Sequence, residues 1–198
     1  MSRLILASAS ASRRRMLTAA GVPFEVEPAH IDEAAMKESL KAEGASAAHI
    51  AEVLAELKAI RISERFPDAL VLGADQTLVL GKETLDKPAS MEEAGRQLAR
   101  LSGGRHVLPT AAVMAERGSA VWREIARPSV TFRPLSETFI ASYLERMGEA
   151  ALGTVGACEV EGLGAQLISR IDGDFYAVLG LPLLSVLEFL RVRGILPR

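Results

Sequence analysis

The chain reads as an α/β protein. Strand-like and helix-like segments alternate along 198 residues, of which 49% are apolar, enough to bury a substantial core. Residues 69–74, Ala-Leu-Val-Leu-Gly-Ala, form the apolar run of a strand buried on both faces.

The elements follow in order. Residues 4–7 are a short strand that runs into Ser8-Ala9-Ser10-Ala11-Ser12 and then Arg13, Arg14 and Arg15. Ser10 or Ser12 caps the next helix, which carries Met16, Leu17 and Ala20 and stops at Gly21-Val22-Pro23. Residues 24–27 are a short strand leading into Ile31-Asp32-Glu33. The spacing of Ile50, Leu54, Leu57 and Ile60 predicts a long helix over 46–65, ended by Pro67-Asp68. After the apolar strand, residues 77–80 stay extended as far as the Gly81-Lys82 turn. A helix over 91–101 stops at Ser102-Gly103-Gly104. Two β segments, 107–116 and 120–132, meet at the hairpin signal Arg117-Gly118-Ser119. Ser136 opens a helix to Met147, with Gly148 beyond it, and a glycine-rich stretch covers 153–164. Residues 166–171 and 175–179 are predicted to pair as strands about Asp172-Gly173-Asp174. The last helix, 182–193, has proline in its first turn and Gly194 past its end. With no internal repeat, low-complexity tract or linker, residues 1–198 are read as one domain.

Composition narrows the function. A formal net charge of −2 gives no field toward nucleic acid or an anionic membrane. No apolar run approaches the ~20 residues of a membrane span. The N-terminus, with Arg3 as its one early cation, is not a secretory signal. The single cysteine, Cys158, forms no internal disulfide, which fits a reducing cytoplasm, and is read as a small buried apolar residue.

The opening strand and helix have the parts of an anion site. Backbone N–H groups at a helix start attract phosphate, and serine hydroxyls and guanidinium groups add donors. The other reading is a surface helix with a basic first turn, although the helix dipole disfavours cations there. Further along, Asp75 follows the apolar strand at its C-terminal end, where open α/β sheets bind ligands. A carboxylate there is costly without a partner. It reads as a magnesium ligand or general base, or else as a turn cap. Glu33 is a possible second ligand to the same ion, and magnesium, with its oxygen ligands and retained waters, suits phosphate chemistry. Lys58 and Lys87 are suited to neutralising phosphate oxygens, or are surface charges. The histidines His30, His49 and His106 lack metal-ligand spacing, so no zinc site is expected. Nucleophile-elbow, Walker and dinucleotide motifs are absent.

These pieces, in this order, resemble the Maf family of nucleoside triphosphate pyrophosphatases over nearly the whole chain. The likeness rests on Ser8-Ala9-Ser10 with Arg13-Arg14, Asp32-Glu33, Leu57-Lys58-Ala59 and Gly73-Ala74-Asp75-Gln76. It continues through Asp86-Lys87-Pro88, Ser102-Gly103 with His106 and Thr110, Glu161-Gly162-Leu163-Gly164 and Gly180-Leu181-Pro182. The resemblance implies an elongated, mixed, twisted sheet flanked by helices, similar to the inosine triphosphate pyrophosphatases, with the active-site cleft between two lobes. It implies a cytoplasmic housecleaning hydrolase, often homodimeric, that uses a divalent metal (Mg2+ or Mn2+) to convert a nucleoside triphosphate to monophosphate and pyrophosphate. Asp75 matches the catalytic acid and, with Glu33, the metal site. Lys58 and Lys87 join it in catalysis, and Ser8, Ser10, Ser12 and Arg13 match the triphosphate grip.

Base choice turns on Gln76 and Glu161, which look like the branch acting on 7-methyl-GTP rather than the one acting on dTTP and UTP. Glutamate accepts hydrogen bonds from guanine N1–H and its amino group, a pair of donors that uracil lacks. Ser12 departs from that branch, which carries tryptophan there, an aromatic face for a cationic base. A dTTP/UTP-preferring enzyme and a non-catalytic nucleotide sensor in division control stay open at this stage, as does a phosphomonoesterase.

Overall fold

The computed structural model describes residues 3–197. In chain order its strands are β1 (Arg3–Leu6), β2 (Glu25–Val26), β3 (Ala69–Gln76), β4 (Leu78–Leu80), β5 (Glu83–Leu85), β6 (Arg105–Val107), β7 (Thr110–Glu116), β8 (Ser119–Ala126), β9 (Ser129–Phe132) and β10 (Ile168–Asp172). The α-helices are α1 (Ala11–Ala19), α2 (Glu33–Ala42), α3 (Ala47–Arg65), α4 (Met91–Leu101), α5 (Glu137–Met147), α6 (Phe175–Val178) and α7 (Leu183–Val192). Most helices start where a short polar side chain accepts from an N–H of the first turn. Ser10, Asp32, Ser46, Ser90, Ser136 and Asp174 do this for α1 to α6.

The strands form a mixed α/β arrangement of two five-stranded sheets, β2-β1-β3-β7-β8 and β10-β9-β6-β4-β5. The mixed sheet that the resemblance implies is built here in two parts. The division falls where β3 passes into β4 and β6 into β7. There the Thr77 N–H donates to the Pro109 carbonyl (3.0 Å), and Pro109, having no N–H, cannot continue the ladder.

In the first sheet β1 lies parallel to β2 and β3, with Leu6 opposite Leu72, and β3 runs antiparallel to β7. Alternate residues feed two cores. Leu4, Leu6, Leu70 and Leu72 pack with Met16 and Leu17 of α1 and with Leu183, Val186 and Leu190 of α7. Ile5, Ala7 and Val71 pack with Ala51, Ala55 and Ala59 of α3. The sheet is thus covered on both faces, as its continuous apolar strands require. The second sheet packs Leu78, Val130 and Phe132 against Leu98 of α4 and Tyr143 of α5.

Several boundaries differ from expectation. Residues 175–179 do not pair with β10: they form α6, because Asp174 caps a helical turn, and β10 pairs with β9 instead. Gly173, at φ +99°, is the joint between them, its α-carbon side pressed against Pro128. The expected segments 107–116 and 120–132 are each split, at residues 108–109 and 127–128. Helix α2 lies in a stretch the periodicity left unassigned.

Candidate active site

A cavity of about 650 Å³ opens where the two sheets meet, within the usual range for small-molecule sites. Its polar wall is set by the close approach of α3 to β3. Ala51, Ala55 and Ala59 line the helix face toward the strand, and Gly73 lets the two backbones touch. A Cβ on Gly73 would stand 2.1 Å from the Ala55 carbonyl oxygen, so no other residue fits. Lys58 lies on that same buried face of α3, and Asp75 lies two residues beyond Gly73.

The result is a buried ion pair. Lys58 Nζ donates to Asp75 Oδ1 at 2.6 Å and contacts Glu33 Oε1 at 2.9 Å. Both Lys58 and Asp75 are only 6% exposed. Asp75 Oδ2 is buried and has no hydrogen-bond partner. An orphaned carboxylate oxygen in a cavity wall is expensive unless a ligand meets it. Burial of Glu33 favours its neutral form, but Lys58, Lys37 and Lys87 outweigh this and hold its carboxyl below the usual range.

Across from this pair, Ser8 follows β1, whose chain stays paired to β3 through Ala7 N–H and the Leu72 carbonyl (2.8 Å). Arg13 is buried. Its Nη1 donates to Ser8 Oγ (3.0 Å) and its Nε to the Gly180 carbonyl (2.8 Å). Burial lowers its proton affinity, and only the more distant charges of Asp75 and Glu33 oppose this. Direct contact with neutral partners leaves the guanidinium charge available to an anion. Ser10 Oγ accepts from Arg13 N–H at 3.4 Å as the helix cap. Lys87 is exposed at the cavity edge, beside Asp86, which Lys37 (3.0 Å) and Lys41 (2.9 Å) hold.

The structure gives Ser12 different work from the expected phosphate contact. Its hydroxyl has one proton and two acceptors within reach, Glu161 Oε2 (3.1 Å) and the Leu179 carbonyl (3.0 Å). Arg15 also contacts Glu161 Oε2 (3.0 Å) and bridges it to Glu159 (2.9 Å). Ser12 and Arg15 therefore fix the Glu161 carboxylate through one oxygen. Gln76 lines the cavity too, with its amide NH2 donating to Thr110 Oγ1 (2.9 Å) and to the carbonyls of Ala177 (2.8 Å) and Val178 (3.2 Å). It staples α6 to the sheet joint. Along this segment Asp75 and Thr77 face α3, where Thr77 Oγ1 donates to the Ala47 carbonyl (3.0 Å). Gln76 and Leu78 face the other way.

The candidate site residues named from sequence border this one cavity: Ser8, Ser10, Ser12 and Arg13 on one side, Glu33, Lys58, Asp75 and Lys87 on the other, with Gln76 in the wall between the sheets and the exposed Glu161 beside Arg15. The arginine triplet reads from sequence as part of an anion site, but its Arg15 instead pairs with Glu159 and Glu161, and sequence reasoning missed Lys37. Cys158 borders the cavity as well, and burial pushes its thiol up to about 12, so it stays protonated and unreactive. Nearby, Ala157 takes a positive φ of 51°, held by Tyr143 OH donating to its carbonyl (2.8 Å). Among the described residues no group of three or more His, Cys, Asp or Glu side chains gathers to hold a metal. Glu33 and Asp75 are a pair, which fits magnesium: that ion takes one or two carboxylates and completes its shell with water and phosphate oxygens.

The Maf-like protein family matches residues 3–193. The chain belongs to that family. It is 48% identical to a nucleoside triphosphate pyrophosphatase of Hyphomonas neptunium, over 97% of this chain and 96% of that protein. It is 50% identical to nucleoside triphosphate pyrophosphatase 1 of a Jannaschia species, over 98% of both. It is 48% identical to a 7-methyl-GTP pyrophosphatase of Rhizobium meliloti, over 96% of both. Among the described residues of this Maf-like chain, no helix is long and apolar enough to cross a membrane.

Proposed function

We propose that this protein hydrolyses a nucleoside triphosphate to the monophosphate and pyrophosphate. The observation that carries the reading is the Asp75 carboxylate. One oxygen is bound to Lys58, the other is buried without a partner, and both lie in a wall facing the uncommitted charge of Arg13. The names of the full-length relatives point the same way.

On this reading Ser8, Ser10 and Arg13 grip the outer phosphates and Lys87 neutralises the tail from the cavity edge. Asp75 Oδ2 takes the proton of the water that attacks the α-phosphorus. Lys58 fixes that carboxylate through Oδ1 and places positive charge beside the departing pyrophosphate. A divalent cation, Mg2+ or Mn2+, fits Asp75 and Glu33 and when bound supplies Lewis-acid stabilisation of the phosphate charge. Both protein contacts to Glu161 fall on Oε2, so Oε1 is left for the N1–H or amino group of a guanine-type base. This favours a purine such as 7-methyl-GTP over dTTP or UTP. We assign the enzyme to the cytoplasm, where Cys158 stays reduced, and to a homodimer as the family resemblance implies.

The test is pyrophosphate release from a panel of natural and methylated triphosphates with magnesium, for wild type and Asp75→Asn. The reading expects a loss of about 10²–10⁴-fold in kcat for the variant. Equally little pyrophosphate from both, with nucleotide still bound, would establish a sensor. Orthophosphate as product would establish a phosphomonoesterase, and faster turnover of dTTP or UTP than of any purine would refute the base preference.

A further inference from the structure

The polar half of the cavity accounts for phosphate chemistry and leaves the inner end unexplained. Inward of Gln76 the wall turns apolar over Leu78, Leu108 and Phe132. Two polar atoms set in this wall have no partner: His106 Nδ1 and Thr154 Oγ1. His106 is only 3% exposed. Its ring stands edge-on to Phe132, with centroids 4.8 Å apart and planes at 86°. Among the described residues nothing bonds either ring nitrogen, and burial pushes the imidazole down to about 4, so it is neutral near pH 7. Thr154 is held in place by its own turn. Gly156, at φ +67°, packs so closely that a Cβ there would stand 2.8 Å from Leu78 Cδ1.

Buried polar groups without partners are rare and ask for one. A proton on Nδ1 makes that unpartnered nitrogen a donor to whatever fills the cavity beside it. His106 then presents a donor, and the Thr154 hydroxyl presents a second. Two donors in an apolar slot match an exocyclic oxo oxygen, which carries two lone pairs, on a flat ring whose faces lie against Leu78 and Leu108.

We propose that His106 and Thr154 are specificity-determining residues that read the exocyclic oxygen of an oxo-nucleobase at the inner end of the cavity. The proposal rests on the pyrophosphatase reading. Guanine and hypoxanthine offer that oxygen at the purine 6-position. Adenine offers an amino group there, which sets N–H against N–H and leaves all three groups unpaired.

The experiment compares kcat/KM for GTP and ATP in wild type, His106→Leu, His106→Gln and Thr154→Val. Wild type should prefer GTP. His106→Leu should cut the GTP/ATP ratio about tenfold or more, chiefly through GTP. Thr154→Val should cut the ratio too, and His106→Gln, which keeps a donor, should recover part of it. An unchanged ratio in both His106→Leu and Thr154→Val, or an equal fall for both nucleotides, overturns the proposal. Binding supplies an arm independent of turnover. GMP, but not AMP, titrated into the Asp75→Asn protein should shift the His106 Nδ1–H resonance in ¹⁵N spectra. Failure of that shift with GMP bound refutes the proposal even if pyrophosphate is released, whereas absence of pyrophosphate release refutes only the pyrophosphatase reading.

Discussion

Gly73→Ala should damage both stability and turnover, because it acts where two backbones meet. The added Cβ would stand 2.1 Å from the Ala55 carbonyl oxygen and 2.8 Å from the Ala59 nitrogen. Neither is the end of a flexible side chain, so neither can rotate away. Ordinary contact begins near 3.4 Å, and α3 must retreat from β3 by more than an ångström. Overpacking of this kind costs about 1–3 kcal/mol, and a backbone clash belongs at the top of that range. For a protein of this size about 3 kcal/mol lowers Tm by about 6–12 °C. The same retreat carries Lys58 away from Asp75, now 2.6 Å apart, and a misplacement of about 1 Å at a reacting group costs about 100-fold in rate. Urea unfolding and pyrophosphate release, measured on the same preparation, test both parts. An alanine variant that unfolds at the wild-type midpoint with wild-type kcat would refute the argument that α3 positions the ion pair.

Three further outcomes follow. Gly95→Ala, in the middle of α4, places its Cβ 3.5 Å from Leu144 Cδ1, and should stabilise by about 0.5–1 kcal/mol in the same urea assay. Arg13→Lys keeps the charge but cannot reach both Ser8 and the Gly180 carbonyl; loss of one charge-assisted bond of about 1.5–3 kcal/mol should lower kcat/KM by about 10–100-fold. The folded chain binds a proton at His106 only near pH 4, against 6.5 when exposed. The unfolded state therefore holds more protons between those values. This contribution is complete above pH 6.5 and is lost as pH falls toward 4, by about 3 kcal/mol in all; His106→Phe should remove that part of the acid slope in urea unfolding.

The sequence carried the elements with strong local signals. Ser90 and Ser102 bound α4 at residues 91–101 as expected, and Ser46 and Pro67 bracket α3. Helix α2 was invisible because none of its residues is buried: there is no apolar stripe to detect, and ion pairs from Lys37 and Lys41 to Asp86 and from Glu33 to Lys58 connect it to the rest. The Asp-Gly hairpin signal at residues 172–173 failed because Asp174 bonds the Tyr176 N–H (2.8 Å) and turns the chain into a helix, while three hydrogen bonds from Gln76 and Thr110 reach α6 carbonyls. Within the site, motif order brought Ser8, Arg13, Lys58 and Asp75 to notice. The work of Ser12 was not legible, since its partners Glu161 and Leu179 lie 149 and 167 residues away. His106 carries part of the family resemblance and lacks metal spacing, and nothing short of the packed wall reveals that its nitrogens go unanswered.

The pleat at residues 75–78 keeps two tasks on opposite sides of a single extended segment. Asp75 and Thr77 point to the helix that carries Lys58; Gln76 and Leu78 point to the inner hollow. On the function proposed above, substitutions in one parity should alter how fast a bond is broken, and substitutions in the other which molecule is admitted. Relatives sharing this backbone can diverge in diet without rebuilding their chemistry.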